Sequence, residues 1–116
     1  HVFEIGGGGG EWSKLFLEQG LTVTLLDRDG PNFRNATERL SRADPSGSRW
    51  EALTWDIDAD PSPPIGLGGG SSSAAAAAAL AVAADVVEHL TRPRELLRFL
   101  GALLTHGAVR AVVLST

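Results

Sequence analysis

Cysteine is missing from all 116 residues of the chain, which excludes a disulfide framework and a zinc–thiolate centre. Basic residues are outnumbered, 10 Lys and Arg against 14 Asp and Glu, and the net charge of −4 speaks against a broad polyanion-binding surface. No nucleic-acid partner is therefore expected, although Arg92, Arg94 and Arg98 could form a local basic patch. Long hydrophobic runs are lacking too. Nothing approaches the roughly 18 apolar residues needed to span a bilayer, since the tract from Ala74 to Ala84 is too short and too weakly apolar. No signal-peptide pattern opens the sequence. These absences predict a cytoplasmic protein with no membrane partner. A starting methionine is also absent. The first residues already read as a strand and Val112 to Thr116 as another, so the expectation is a single partial domain, 1–116, cut from a longer protein.

What is present begins with the first ten residues. Val2, Phe3 and Ile5 form a short apolar run that stops at the glycines Gly6 to Gly10, and Glu11-Trp12-Ser13-Lys14-Leu15-Phe16 then opens a helical pattern. Strand, glycine turn and helix together present bare backbone N–H groups to a ligand at a helix N-terminus. Two spacings fit. Gly6 and Gly8 begin a dinucleotide fingerprint, but its third glycine falls at Glu11, which would set a carboxylate against a pyrophosphate. The spacing acidic-x-Gly-x-Gly-x-Gly is met in full by Glu4, Gly6, Gly8 and Gly10. A low-complexity origin for the glycines is the bland alternative, since Gly68-Gly69-Gly70 repeats the composition.

Downstream, apolar periodicity alternates between strand and helix. Trp12, Leu15, Phe16 and Gln19 give the first helix a stripe, with Gly20 as its stop; Leu21 to Leu26 reads as a strand ending at Asp27. Asp29 with Pro31 predicts a helix start, and Phe33, Thr37 and Leu40 its buried face. Ser41 to Ser48 reads as a loop, in which Asp44 carries no expected role, and Arg49 to Asp56 as a third strand. Residues 61–79 collapse into Pro, Gly, Ser and Ala and predict an insertion, with helix or coil at Ala74 to Ala79. Residues 80–84 read as a fourth strand. Thr91-Arg92-Pro93 starts a helix with Leu96, Leu97, Leu100, Leu103 and Leu104 on one face, and Ala108 to Leu114 reads as a buried strand. This order implies an α/β fold with a parallel sheet, whose ligands bind beyond the carboxyl ends of the strands. Glu4 with the glycines, Asp27, Asp56 and Asp85 to His89 all fall at such ends.

Asp27 lies about twenty residues past the glycines, where a carboxylate accepts ribose hydroxyls of either adenosine cofactor. Asp56-Ile57-Asp58-Ala59-Asp60 opens like a calcium loop, but Pro61 stands where glycine is required and Leu67 where the bidentate glutamate belongs, so no metal site is expected. A histidine's unperturbed pKa of about 6.5 suits His89 to general-base work. An equally simple role is a hydrogen bond that orients the loop, and Glu88 has the same two readings.

Asp85-Val86-Val87-Glu88-His89-Leu90, followed by Pro93, Leu96-Leu97, Leu104, Gly107 and Val113-Leu114-Ser115-Thr116, resembles the EHL-containing class I S-adenosylmethionine-dependent methyltransferases, among them the ubiquinone-biosynthesis type. The resemblance covers Phe3 to Thr116 except residues 61–79. It implies a Rossmann-like, mainly parallel sheet with helices on both faces, here truncated at both ends. It implies S-adenosylmethionine as cofactor and a small-molecule acceptor. Glu4, Gly6, Gly8, Gly10, Asp27, Asp56, Ile57 and Asp85 would bind the cofactor, with Asp56 (or Asp58) taking the adenine amino group. The aromatic-Asp dipeptide that usually opens the family's fourth strand is replaced by alanines and serines, and its last strands and N-terminal helix are not in this sequence. A nicotinamide-binding oxidoreductase and a non-catalytic domain with a degenerate loop are the rival readings.

Overall fold

The computed structural model describes residues 1–65 and 80–116, and the predicted insertion lies outside it from residue 66 on. Among the described residues, β1 (Val2–Ile5), β2 (Val23–Asp27), β3 (Trp50–Thr54), β4 (Leu80–Ala83) and β5 (Ala111–Leu114) form one sheet in the order β3-β2-β1-β4-β5. Every pairing is parallel, with Val2 opposite Val23 on one side and Leu80 on the other. Chain progression thus runs outward from β1 in both directions, which makes the carboxyl end of β1 the switch point where α/β sheets bind ligands.

Helices cover both faces. Side chains alternate across a strand, so Val23 and Leu25 join Leu17 of α1 (Glu11–Glu18) and Ala36 and Leu40 of α2 (Pro31–Ala43) in one core. Phe3, Ile5 and Leu26 point the other way and pack with Leu96, Phe99, Leu100 and Leu103 of α3 (Pro93–Thr105). Each such side chain fully buried contributes about 1.5–3 kcal/mol. Trp55, just past β3, meets Phe99 edge to face at 4.8 Å and donates its Nε1–H to the carbonyl of Asp60 at 3.0 Å, so the second core extends under the β3 exit.

Several sequence expectations fail in instructive ways. The buried side of α1 is Ser13 and Leu17, while Trp12 and Leu15 are 55% and 47% exposed. A buried Ser13–Glu4 hydrogen bond and the close approach of Gly10 to Ala36 turn the helix, leaving Trp12 stacked on Phe16 outside. In α2 the buried pair is Ala36 and Leu40, with Phe33 and Thr37 only half-buried, because Gly10 accepts only a small neighbour. That helix also runs on to Ala43, into the predicted loop. Asp29 does not cap it: Gly30 is the N-cap, and Asp29 faces Arg34 at 3.8 Å. On α3, Leu97 and Leu104 are exposed and Phe99 takes a core place. β5 is shorter than predicted and is an edge strand of the described sheet, with Val113 and Leu114 exposed instead of buried.

Asp44, for which no role was expected, is buried at the end of α2. Its carboxylate accepts the Ser46 hydroxyl at 2.7 Å and the Arg49 N–H at 3.0 Å. The Ser46 bond, above all, holds its pKa below the ordinary carboxylate value. We expect Asp44→Ala to lower the melting temperature measurably at neutral pH, and unchanged melts would show that the carboxylate contributes nothing to the β3 approach.

Candidate functional site

A cavity of about 530 Å³ opens at the carboxyl ends of β1, β2, β3 and β4. That size falls in the ~300–1,000 Å³ range of small-molecule and cofactor sites. Its wall holds Gly6, Gly8, Asp27, Asp56, Ile57, Asp58, Asp85 and His89, which the sequence had nominated, together with Trp55, Val86 and Leu90. Glu4 and Gly10 do not line it.

The loop between β1 and α1 is built by backbone bonds that leave its upper surface bare. Gly6 donates its N–H to the Leu26 carbonyl at 2.7 Å, and Gly10 donates to the Gly7 carbonyl at 2.9 Å. Gly6 has φ +70°, and a Cβ there would lie 2.9 Å from the Cβ of Val86, beyond β4. Gly10, at φ +79°, starts α1 and would bring a Cβ within 3.0 Å of the Ala36 backbone. Gly6 therefore shapes the cavity, whereas Gly10 shapes the seam between α1 and α2.

Asp27 ties this loop to β2. One carboxylate oxygen accepts the Gly8 N–H at 2.8 Å and the other accepts the Arg28 N–H at 2.8 Å. Each oxygen keeps a lone pair for a ligand hydroxyl, so loop anchor and ligand acceptor coexist in one residue. Asp56 accepts the N–H groups of Asp58 (3.0 Å) and Ala59 (3.4 Å) on a single oxygen. Asp58, the alternative adenine partner, is otherwise engaged: its carboxylate accepts the Thr91 N–H at 3.0 Å and the Arg92 N–H at 2.8 Å. These bonds, Thr91 first, lower its pKa and staple the β3 exit to the start of α3.

Glu4 points away from the cavity, under the glycine loop and 3% exposed. It accepts the Ser13 hydroxyl, and burial pushes its pKa up to about 7, with the charges of Asp27 and Glu11 adding to the rise and the Ser13 bond opposing it. Glu4 thus sets the loop from behind. Glu11 also lies elsewhere than expected: it pairs with Arg39 of α2 at 2.7 Å and is not part of the cavity wall, so it cannot act against a pyrophosphate. The negative wall comes instead from five aspartates, Asp27, Asp29, Asp56, Asp58 and Asp85, set against Arg28 and His89.

His89 ends a single 3-10 turn, Val87–His89, and borders the cavity; Glu88 on the same turn does not. His1, which carried no signal, bonds Thr22 and Thr24 through its two ring nitrogens at 2.7 and 2.8 Å. Ser13 and Arg28 were not anticipated either, and neither was the contact of Val86 with Gly6. Ser13 was readable only as a polar residue in a helix, and nothing local joins Val86 to a glycine eighty positions earlier. No group of His, Asp and Glu side chains among the described residues is arranged to hold a metal ion. Nor is any described helix long and apolar enough to cross a membrane.

A parallel sheet with a glycine loop at its switch point defines a Rossmann-like ligand-binding domain. Residues 3–109 match the family described as methyltransferase domain, and the chain belongs to that family. Its fold is similar to that of WbdD, a bifunctional kinase-methyltransferase, with a TM-score of 0.66 and 21% identity over 97% of this chain and 23% of WbdD. The S-adenosylmethionine-dependent methyltransferase SibL aligns with a TM-score of 0.63 and 21% identity, over 97% of this chain and 30% of SibL. A family 2 O-methyltransferase from Planctomyces limnophilus, solved with apigenin, aligns with a TM-score of 0.52 and 21% identity over 81% of this chain and 25% of its own. The chain thus spans between 23% and 30% of the length of these solved chains. No curated protein matches it in sequence.

Proposed function

We propose that the protein binds S-adenosylmethionine in this cavity and transfers its methyl group to a small-molecule acceptor. The observation that carries the reading is the negative wall around a glycine loop: a cationic, phosphate-free adenosine cofactor suits it, and a dinucleotide's pyrophosphate does not. Asp27 offers acceptors to the ribose hydroxyls, and Asp56 offers one to the adenine amino group, with Ile57 as the apolar neighbour of the ring. Gly6 and Gly8 leave backbone room for the ligand, and Asp85 lies toward the acceptor side. The cofactor supplies an activated methyl on sulfonium sulfur. The protein's own contribution is alignment, and a base if the acceptor must lose a proton. His89, bordering the cavity beside Asp85 and Leu90, is that base.

The test is calorimetric titration of the whole protein with S-adenosylmethionine, S-adenosylhomocysteine and NAD. Binding of both adenosyl ligands and none of NAD is expected; the reverse pattern overturns the reading. We expect Asp27→Ala to weaken S-adenosylhomocysteine binding by roughly 1.5–3 kcal/mol, the worth of hydrogen bonds to a charged acceptor. Glu38→Ala, which removes only an exposed pairing with Arg42, should leave binding unchanged. Equal losses in both variants would reduce Asp27 to a fold residue. His89→Ala should lower kcat about a hundredfold while S-adenosylhomocysteine binding stays the same, whereas a matching loss of binding would make His89 a loop-orienting residue.

A further inference from the structure

Asp85 is the one non-glycine among the described residues with a positive φ, +53°. The left-handed region costs an ordinary residue about 1–2 kcal/mol, less for aspartate, and such conformations persist where surroundings impose them. Here the imposing residue is Ser115. The Asp85 N–H donates to the Ser115 carbonyl at 3.2 Å and lies 3.3 Å from its hydroxyl oxygen, and that hydroxyl donates to Asp85 Oδ1 at 3.2 Å. The Ser115 N–H in turn bonds the Ala83 carbonyl at 3.1 Å, continuing the β4–β5 ladder past the end of β5. Ser115 therefore fixes both the backbone and one carboxylate oxygen of Asp85. The second oxygen accepts no hydrogen bond, and the side chain has no ion-pair partner, among the described residues.

Its position gives this group a use. Asp85 borders the cavity immediately before Val86, which packs against Gly6 of the loop, and four residues before His89. With the cofactor against the loop and the acceptor's proton going to His89, the carboxylate falls at the junction of donor and acceptor. The other aspartates of the wall have other work: Asp27 and Asp58 use both oxygens on N–H groups, Asp29 faces Arg34, and Asp56, whose second oxygen is also without a hydrogen bond among the described residues, is the one assigned above to the adenine amino group. We propose that Asp85, positioned by Ser115, reads the positive charge on the reacting sulfur and makes the site prefer the sulfonium over the neutral thioether left after transfer. This rests on the cofactor reading above. It makes Asp85 a specificity residue that eases release of the demethylated product.

S-adenosylmethionine and S-adenosylhomocysteine differ in the methyl group and in this charge, so the ratio of their dissociation constants isolates the effect. We expect Asp85→Asn in the whole protein to lower the preference for S-adenosylmethionine roughly fivefold, the bulk-water limit for opposite unit charges about 4 Å apart. Raising salt should erode the preference in the wild type and leave it flat in the variant. Ser115→Ala should move the ratio part of the way. Asp85→Gly, which accepts positive φ without strain, should repeat the Asn result and guards against misfolding of the first variant. If every variant weakens both ligands equally, the ratio staying constant, Asp85 is a strand-end clamp and the proposal falls. If the wild type binds neither ligand, the cofactor reading fails first and takes this inference with it.

Discussion

Replacing Gly6 with alanine should abolish measurable cofactor binding and lower stability by roughly 2–5 kcal/mol. Two separate costs combine. A left-handed backbone costs a residue with a Cβ about 1–2 kcal/mol, and overpacking a filled contact costs about 1–3 kcal/mol more. Gly6 has φ +70°, and its added Cβ would come within 2.9 Å of the Val86 Cβ. Val86 follows β4 and cannot retreat freely, because the next residue in the chain before it, Asp85, is bonded to Ser115. The double variant Gly6→Ala with Val86→Ala separates the two terms: it should recover the steric part, leaving about 1–2 kcal/mol from the backbone. Chemical denaturation of both variants gives the answer. A single variant as stable as the wild type would mean that the loop shifts without cost, and that the cavity wall is not the rigid feature described here.

The second large effect is a pH dependence governed by Glu4. Its pKa is about 7 in the folded protein against the ordinary value of 4.5, so between those values the folded state holds a proton that the unfolded state has released. Stability contributed by this group is fully present below pH 4.5 and is lost as pH rises to about 7. The loss amounts to about 3 kcal/mol at about 1.36 kcal/mol per pKa unit. Its source is mainly desolvation of a carboxylate shut beneath the glycine loop, offset in part by Ser13 through its hydroxyl and its backbone N–H. Glu4→Gln keeps the shape and an acceptor for Ser13 but cannot ionise. Relative to wild type, the variant should therefore gain about 3 kcal/mol between pH 4.5 and pH 8, which urea titrations at the two pH values would measure. Parallel curves for the two proteins across that interval would show that Glu4 stays ionised in its buried setting.

Both predictions concern residues visible in the first ten positions, yet the sequence assigned them only in outline. The apolar run through Ile5, the glycines and the acids at the strand ends were enough to determine an α/β order, a parallel sheet and the face on which a ligand binds. Backbone chemistry makes those features local: glycine marks where a Cβ cannot fit, β-branched and apolar runs mark strands, and Arg92-Pro93 marks a helix start. The family resemblance likewise rested on short stretches, Asp85 to Leu90 followed by Pro93, Leu96-Leu97, Leu104, Gly107 and Val113 to Thr116.

What the sequence could not decide was direction. Glu4 and Gly6 are neighbours, but pleating sends the Glu4 side chain to the α1 face beneath the loop, while the turn brings Gly6 into the cavity wall. Glu11 looked like the acid facing the ligand, and only the packing of α1 on α2 turned it toward Arg39. The phase of α1 went the same way. Trp12, Leu15 and Phe16 are the more apolar stripe, yet Ser13 and Leu17 are buried, because Glu4 needs a donor and Gly10 needs a small neighbour. The sequence put Asp56 first and kept Asp58 as an alternative; in space they are distinct, since Asp58 is within reach of the Thr91 and Arg92 N–H groups more than thirty residues away. Local patterning reports what a segment can bury. Which side it buries, and which of several carboxylates is left free for a ligand, depends on partners distant in the chain, and those are set only when the sheet closes.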